Sequence, residues 1–321
     1  MRRARTDPKA ETAVREILCL RRVARVFPMS EEHSLYERDP RYIPRVAAVH
    51  DMCGYGTCSL TCAIPILSAC GCDVCPVPTA LFSAHTMFPV FTFHDTTDLL
   101  DDYLDAWREE RVDLDGVYSG FLGSAAQVSI IERLYRDYPK ALRLVDPVMG
   151  DDGRTYPTYT PDMCRAVVRL ARKADVLMPN LTEASILTGR QWAGSDLPDA
   201  AVRDLVGALL DLGARNVVLK GVDRDDGLIR NYVASRERGA SACTEISHRK
   251  LPFMAPGTGD TFASALVGAV MAGRPLVEAA RIAGEFVRSA MEHTPDQPGH
   301  AERGVSFELS LGMLTGLVRE S

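Results

Sequence analysis

From Arg45 onward, short apolar runs alternate with longer segments of helical periodicity, and this rhythm is the strongest restriction on what the chain can fold into. Residues 46–50 predict a strand, 59–69 a helix, and 72–77 a second strand stopped by Pro78. An amphipathic helix over 97–110 precedes a strand over 115–118. The pattern continues with helix 124–138, strand 142–145, helix 161–173, strand 176–178, helix 200–212 and strand 216–219. Strands separated by helical crossovers predict an α/β fold, a mainly parallel central sheet with helices on both faces. Residues 228–233 and 243–248 read as an edge hairpin, and helices over 276–291 and 305–317 close the chain. A chain of 321 residues, 46% hydrophobic, has enough apolar surface for a single large domain over 45–321. Residues 1–44 read as an N-terminal extension, with Ala13, Val14, Ile17, Leu18, Val23, Val26 and Phe27 on one helical face before a charged linker; Met29 is an alternative start.

Open sheets of this kind bind ligands beyond the C-terminal ends of their strands. Polar residues collect at those ends. Asp51 follows the first strand, Asp146 the strand over 142–145, Asn180 and Glu183 the strand over 176–178, and Lys220 the strand over 216–219. Near the C-terminus, Ala255-Pro256-Gly257-Thr258-Gly259-Asp260 runs into an apolar helix expected over 261–271. Glycines in such a turn let successive N–H groups converge, and the helix dipole adds positive character, so an anion belongs there. Asp260 beside a bound phosphate is positioned to take a proton from an attacking hydroxyl. The structural alternative is a glycine turn with an N-capping aspartate. Asp146 and Glu183 supply the oxygens that magnesium and its waters need; their structural alternatives are a turn and a helix N-terminal box.

Other function classes are disfavoured. With 37 basic against 43 acidic residues the net charge is −6, which provides no broad surface for nucleic acid. No apolar run reaches the roughly 18 residues of a membrane span, and the charged first twenty residues do not resemble a secretory signal. A cytoplasmic protein is expected. Six of the nine cysteines fall within 53–75, but Cys58 and Cys62 lie on the expected apolar helix and Cys72 and Cys75 on the expected strand, which favours buried thiols over a metal site.

Further stretches carry a family likeness: Gly54-Tyr55-Gly56; Thr79-Ala80-Leu81-Phe82-Ser83-Ala84-His85-Thr86; Ser119-Gly120-Phe121-Leu122-Gly123-Ser124; Asp146 to Asp151; Pro179 to Glu183 with Leu187-Thr188-Gly189; and Gly257 to Asp260. Over residues 46–317 the chain resembles the ribokinase-like superfamily and, within it, the vitamin B6 kinases. The resemblance implies ATP-dependent phosphorylation of the 5′-hydroxymethyl group of pyridoxal, pyridoxamine or pyridoxine. It implies Asp260 as general base, the N–H groups of Gly257, Thr258 and Gly259 as anion hole, and Asp146 and Glu183 as organisers of Mg2+, with Asn180 alongside. Asp151 and Tyr159 would belong to a flap over ATP, while Thr188 and Lys220 would contact nucleotide phosphates or a monovalent cation such as K+. Asp51, Thr79, Ser83, His85 and Tyr118 would face the pyridine ring. A small-molecule substrate and a homodimer are expected on the same grounds.

Two departures stand out. Asp51-Met52 occupies the place of a Ser-His pair, and Leu81 and Ala84 replace Gln and Asn, so the ring pocket has gained a carboxylate and lost neutral partners. That exchange favours a cationic substituent and hence pyridoxamine; the alternative is an Asp51 that caps a turn. The nearest rival activity is that of a hydroxymethylpyrimidine or hydroxymethylpyrimidine-phosphate kinase, a family that usually has cysteine at the position of Asp260. A non-catalytic B6 carrier or sensor is the rival from another class.

Overall fold

The computed structural model describes residues 34–320. In chain order it contains β1 (Arg45–Cys53), α1 (Ser59–Ala69), β2 (Asp73–Phe82), β3 (Phe93–Asp95), α2 (Thr97–Glu109), β4 (Gly116–Ser119), α3 (Ala125–Asp137) and β5 (Leu142–Val145). A small hairpin, β6 (Gly150–Asp151) and β7 (Arg154–Thr155), precedes α4 (Pro161–Ala171), β8 (Val176–Leu177), α5 (Leu181–Thr188) and α6 (Asp199–Leu212). Then come β9 (Asn216–Asp223), β10 (Leu228–Ser235), β11 (Thr244–Arg249), α7 (Thr258–Met271), α8 (Leu276–His293), α9 (His300–Arg303) and α10 (Leu311–Arg319).

The main sheet has the order β11-β10-β9-β8-β5-β4-β1-β2-β3, and its segment from β9 to β2 is parallel throughout. From β1 the chain steps outward to β2 on one side and to β4, β5, β8 and β9 on the other. The crevice between β1 and β4 is therefore the topological switch point, where open α/β sheets place their ligands. Both faces of the sheet are buried, as the near-continuous apolar strands require. Ala47, Val49, Val117, Val145 and Val217 join the core beneath α3, α4 and α6, while Val46, Ala48, Leu144, Val176 and Val218 join the core beneath α1, α7 and α8. Met149 and Met178 are fully buried in these two cores. Cys62, Cys70 and Cys72 behave as small hydrophobes in the second core, and α1 approaches α7 so closely that a Cβ on Gly268 would stand 2.5 Å from the Cys70 Sγ.

Three expectations need correction. Strand β2 does not stop at Pro78 but continues to Phe82, because Pro76 and Pro78 lie where β3 does not reach and no ladder partner is needed on that side. Carbonyls there are met instead by hydroxyls, Tyr103 Oη donating to Pro76 O at 2.8 Å and Thr96 Oγ1 to Pro78 O at 2.6 Å. The helix expected over 305–317 begins only at Leu311. Gly304, at φ 97°, turns the chain inward, and Val305 N donates to Pro256 O at 3.0 Å, fastening this segment over the turn before α7.

The third concerns the extension. Residues 34–44, assigned to the N-terminal extension and through Arg41 to its charged linker, dock on the domain: Tyr36 and Tyr42 donate to Asp115 at 3.1 and 3.0 Å, Arg45 N donates to it at 2.8 Å, and Arg38 reaches the carbonyls of Cys70 and Gly71. The helical face expected within 13–27 and the alternative start at Met29 lie outside the described residues. Asp115 thus gathers three donors at the base of β4. Asp115→Ala is expected to lower the unfolding free energy by about 2 kcal/mol in urea titrations; a loss below about 0.5 kcal/mol would show that the docked segment adds nothing.

Candidate active site

The turn before α7 is built for an anion. Gly257 takes φ 78° as the N-cap, and a Cβ there would stand 2.3 Å from Thr57 O, so only glycine fits. Helix α7 starts at Thr258 rather than Thr261, which places Asp260 inside the first turn. Among the described residues the N–H groups of Gly257, Thr258 and Gly259 donate to no backbone or side-chain acceptor, as helix geometry dictates for a first turn. Asp260 does not cap its own helix, so it is not the N-capping aspartate of the structural alternative. Its Oδ2 instead accepts from Ser59 N, at the start of α1, at 2.9 Å. Burial raises the Asp260 pKa, while the Ser59 N–H and the charges of Lys220 and His85 work against that rise.

Facing this turn is a set of buried charges. Lys220 Nζ lies 2.6 Å from both oxygens of Asp146, at the end of β5, and a Cβ on Gly259 would stand 3.7 Å from the same nitrogen. Burial lowers the Lys220 pKa, but Asp146, Glu183 and Asp260 outweigh it and the net shift is upward. Burial pushes Asp146 up to about 6 against the pull of Lys220, and Glu183 up to about 8, with Asp146 adding to that rise. Glu183 forms the helix N-terminal box with Asn180: its Oε2 accepts from Asn180 N at 2.8 Å, and Asn180 Oδ1 accepts from Glu183 N at 2.8 Å. Its Oε1 also accepts from Met149 N at 3.3 Å. Three carboxylates therefore share one ammonium. An all-oxygen set with surplus negative charge fits a hard divalent cation such as magnesium.

On the switch-point side, Asp51 sits where the β1–β2 register shifts, buried, with burial raising its pKa to about 6 and Asp260 adding to the effect. Gly56, at φ 95°, brings the loop after β1 so close to His85 that a Cβ would stand 2.2 Å from the ring. His85 Nδ1 accepts from Met87 N at 3.3 Å, while its buried Nε2 has no partner. His50, missed in the sequence, packs edge-on against Tyr118 at 4.3 Å, with both ring nitrogens unpartnered. Its pKa falls to about 3 through burial and then through the charge of Lys220.

Not every expected residue reaches this centre. Tyr159 is not in a flap over ATP; it is a core residue whose Oη accepts from Leu122 N at 3.2 Å and whose ring packs on Phe121. The hairpin does carry Asp151, and the aromatic near Glu183 is Tyr156, whose phenol is pushed up by burial and then by Glu183 and Asp151. Thr188 lies at the far end of α5, about 7.5 Å along the axis from Glu183, with its hydroxyl turned back on Ala184 O at 2.8 Å. Both ends of the Asn180 amide are engaged internally, Nδ2 donating to Gly150 O at 2.9 Å. Thr79 and Tyr118 are sealed from solvent: Thr79 Oγ1 donates to Phe121 O at 2.9 Å, and Tyr118 faces Ser264. Ser83 Oγ accepts from Thr92 N at 2.7 Å and closes its own loop. Two further residues were missed in the sequence, Ser59 and Thr182, with Thr182 Oγ1 accepting from Gly153 N at 2.9 Å to tie the hairpin to α5. Ser59, at φ 49°, carries a left-handed backbone that directs its N–H to Asp260.

The family model described as phosphomethylpyrimidine kinase matches residues 61–305. Pyridoxal kinase PdxY of Deinococcus radiodurans is 32% identical over 241 residues, covering 70% of this chain and 79% of that protein. Among solved structures, a Bacteroides thetaiotaomicron protein described as a phosphomethylpyrimidine kinase, crystallised with pyridoxal, aligns with a TM-score of 0.80 and 35% identity over 85% of this chain and 96% of that one. Pyridoxal kinase from Lactobacillus plantarum aligns with a TM-score of 0.79 and 28% identity over 86% and 98%.

Charge balance around Asp146 leads to a test. Lys220→Met leaves a buried carboxylate uncompensated and is expected to cost about 3–5 kcal/mol at about pH 8. The folded pKa of Asp146 is already raised to about 6, and loss of the ammonium raises it further, so at about pH 5 the folded variant carries a proton there and the deficit shrinks. Equal deficits at the two pH values, measured by urea unfolding, would mean that the pair is not ionised.

Proposed function

The chain belongs to the phosphomethylpyrimidine kinase family, in its vitamin B6 kinase branch of the ribokinase-like superfamily, and from that membership we propose that it transfers the γ-phosphate of ATP to the 5′-hydroxymethyl group of a B6 vitamer. The observation that carries this reading is Asp260: a buried carboxylate in the first turn of α7, beside unpaired N–H groups and held from behind by Ser59 N. A carboxylate with a raised pKa in that position takes the hydroxyl proton as the alcohol attacks. The N–H groups of Gly257, Thr258 and Gly259 stabilise the charge on the transferring phosphoryl group. Lys220, able to shift between Asp146 and the nucleotide phosphates, keeps negative charge at the strand ends compensated. Asp146 and Glu183 would hold Mg2+ with its waters, and the bound ion neutralises phosphate charge. Asp151, on its hairpin, covers the nucleotide. A cytoplasmic homodimer is part of the same proposal.

The family description and that of the Bacteroides thetaiotaomicron relative favour one second reading, phosphorylation of hydroxymethylpyrimidine or its phosphate. ATP-dependent phosphate transfer to pyridoxal, pyridoxamine, pyridoxine and hydroxymethylpyrimidine, compared side by side, separates the two. Asp260→Asn is expected to lower turnover by about 10²–10⁴-fold with little change in KM for ATP; near-normal turnover would overturn the base assignment.

Vitamer choice follows from Asp51. Its buried carboxyl, titrating at about 6, is anionic at neutral pH and is stabilised further by a cationic aminomethyl group. Pyridoxamine is therefore the preferred substrate by kcat/KM, and Asp51→Asn is expected to erase the preference. A ratio of pyridoxamine to pyridoxal unchanged by the substitution would refute the role of Asp51.

A further inference from the structure

Beyond its C-terminal end, β1 continues into a loop whose glycines fold it back on itself, bringing Cys58 at the N-cap of α1 close to Asp51 and Cys53. One carboxylate oxygen of Asp51 and the Sγ atoms of Cys53 and Cys58 all lie within 4.8 Å of one another, and Cys53 Sγ donates to Asp51 Oδ2 at 3.3 Å. Two ligands of one tetrahedral zinc ion stand about 3.5 Å apart for a sulfur–oxygen pair and about 3.8 Å for a sulfur pair, given Zn–S near 2.3 Å and Zn–O near 2.1 Å. The three atoms are thus within about 1 Å of a ligating arrangement before any ion arrives.

We propose that Asp51, Cys53 and Cys58 form a binding site for a thiophilic divalent cation of the zinc class, with its fourth position open toward Asp260. On binding, each thiol gives its proton to solvent and the two thiolates and the carboxylate become ligands. No electron transfer is involved. The site is distinct from the oxygen-only set around Asp146, and its sulfur ligands select against magnesium. The scaffold is already rigid: Gly54 N donates to Phe82 O at 2.8 Å, His85 N donates to Tyr55 O at 3.2 Å, and Gly56 lies against the His85 ring. Asp51 and Cys53 are buried, while Cys58 is partly open, which gives the ion an entry and a position for water or a substrate group. The hydrogen bond with Cys53, burial and the Asp51 carboxylate hold the Cys58 thiol protonated, so its proton leaves only against an arriving cation. An ion held there occupies the carboxylate assigned above to the vitamer's amine and competes with it; that consequence rests on the kinase reading, whereas the binding does not.

The test uses Co2+ as a spectroscopic probe on the full chain, kept reduced, with Zn2+ displacement. One equivalent of Co2+ is expected to produce an intense sulfur-to-cobalt charge-transfer band and the visible bands of a tetrahedral site, both abolished by Zn2+. Cys58→Ser and Cys53→Ser are expected to weaken binding by about 100-fold or more, Asp51→Asn to weaken it less, and Cys164→Ser, on α4, to leave it unchanged. Absence of the charge-transfer band, or its survival in Cys58→Ser, overturns the site. Circular dichroism of each variant identifies any that fails to fold, and Cys58→Ser, at the partly open position, carries the test if the buried Cys53→Ser does not fold. Loss of phosphotransfer without loss of Co2+ binding would count against the kinase reading alone.

Discussion

The ion pair between Lys220 and Asp146 is the contact on which the strand ends depend. Desolvating one carboxylate is costly, and the ends of β5, β8 and the turn before α7 bring three together, so without an internal cation the parallel strands could not converge there. The ammonium sits between Asp146 and the Gly259 turn, coupling a residue of β9 to the anion-binding end of α7. Burial keeps His50 on β1 neutral, and the field of this ammonium adds to that effect. The fold thus concentrates negative charge at one end of the sheet and leaves it under-compensated, an arrangement that a bound cation would relieve.

Around that centre the loops support one another more than they touch the cluster. Thr79 and Tyr159 both fasten the segment after β4, one through Phe121 O and the other through Leu122 N. Gln127 adds to this with a donor to Thr79 O at 2.8 Å and an acceptor for Gly123 N at 2.8 Å. Residues of a family motif can therefore be placed at the ligand site in sequence and act in space one layer behind it. The segment around Gly304 does the same for the turn before α7.

Periodicity made the sheet and most helices legible, since strands buried on both faces and crossover helices leave patterns that tertiary context does not contradict. What escaped was set by partners far along the chain. Ser59 reaches Asp260 across 201 positions, and nothing local in either stretch announces it. Pro78 reads as a strand end in sequence, yet a missing N–H ends a strand only where a neighbour needs it, and β3 does not reach Pro78. Tyr159 and Tyr156 look alike in sequence; one finds a buried donor in Leu122 N and is drawn into the core, leaving the other near Glu183. Asp260, Asp146 and Glu183 were legible because each follows a strand or lies in the first turn of a helix, where chain geometry leaves little choice of direction, whereas Lys220, read as following its strand, lies within β9.

The prolines of β2 have a consequence for the molecule's neighbours. A sheet edge normally offers N–H and C=O groups to any extended chain that drifts past, which is how folded proteins seed fibrous aggregates. Along Pro76 and Pro78 there is no N–H to offer, and both carbonyls are occupied by the hydroxyls of Tyr103 and Thr96. This stretch of the sheet margin is chemically mute, so it gives a passing extended chain no ladder on which to add a strand.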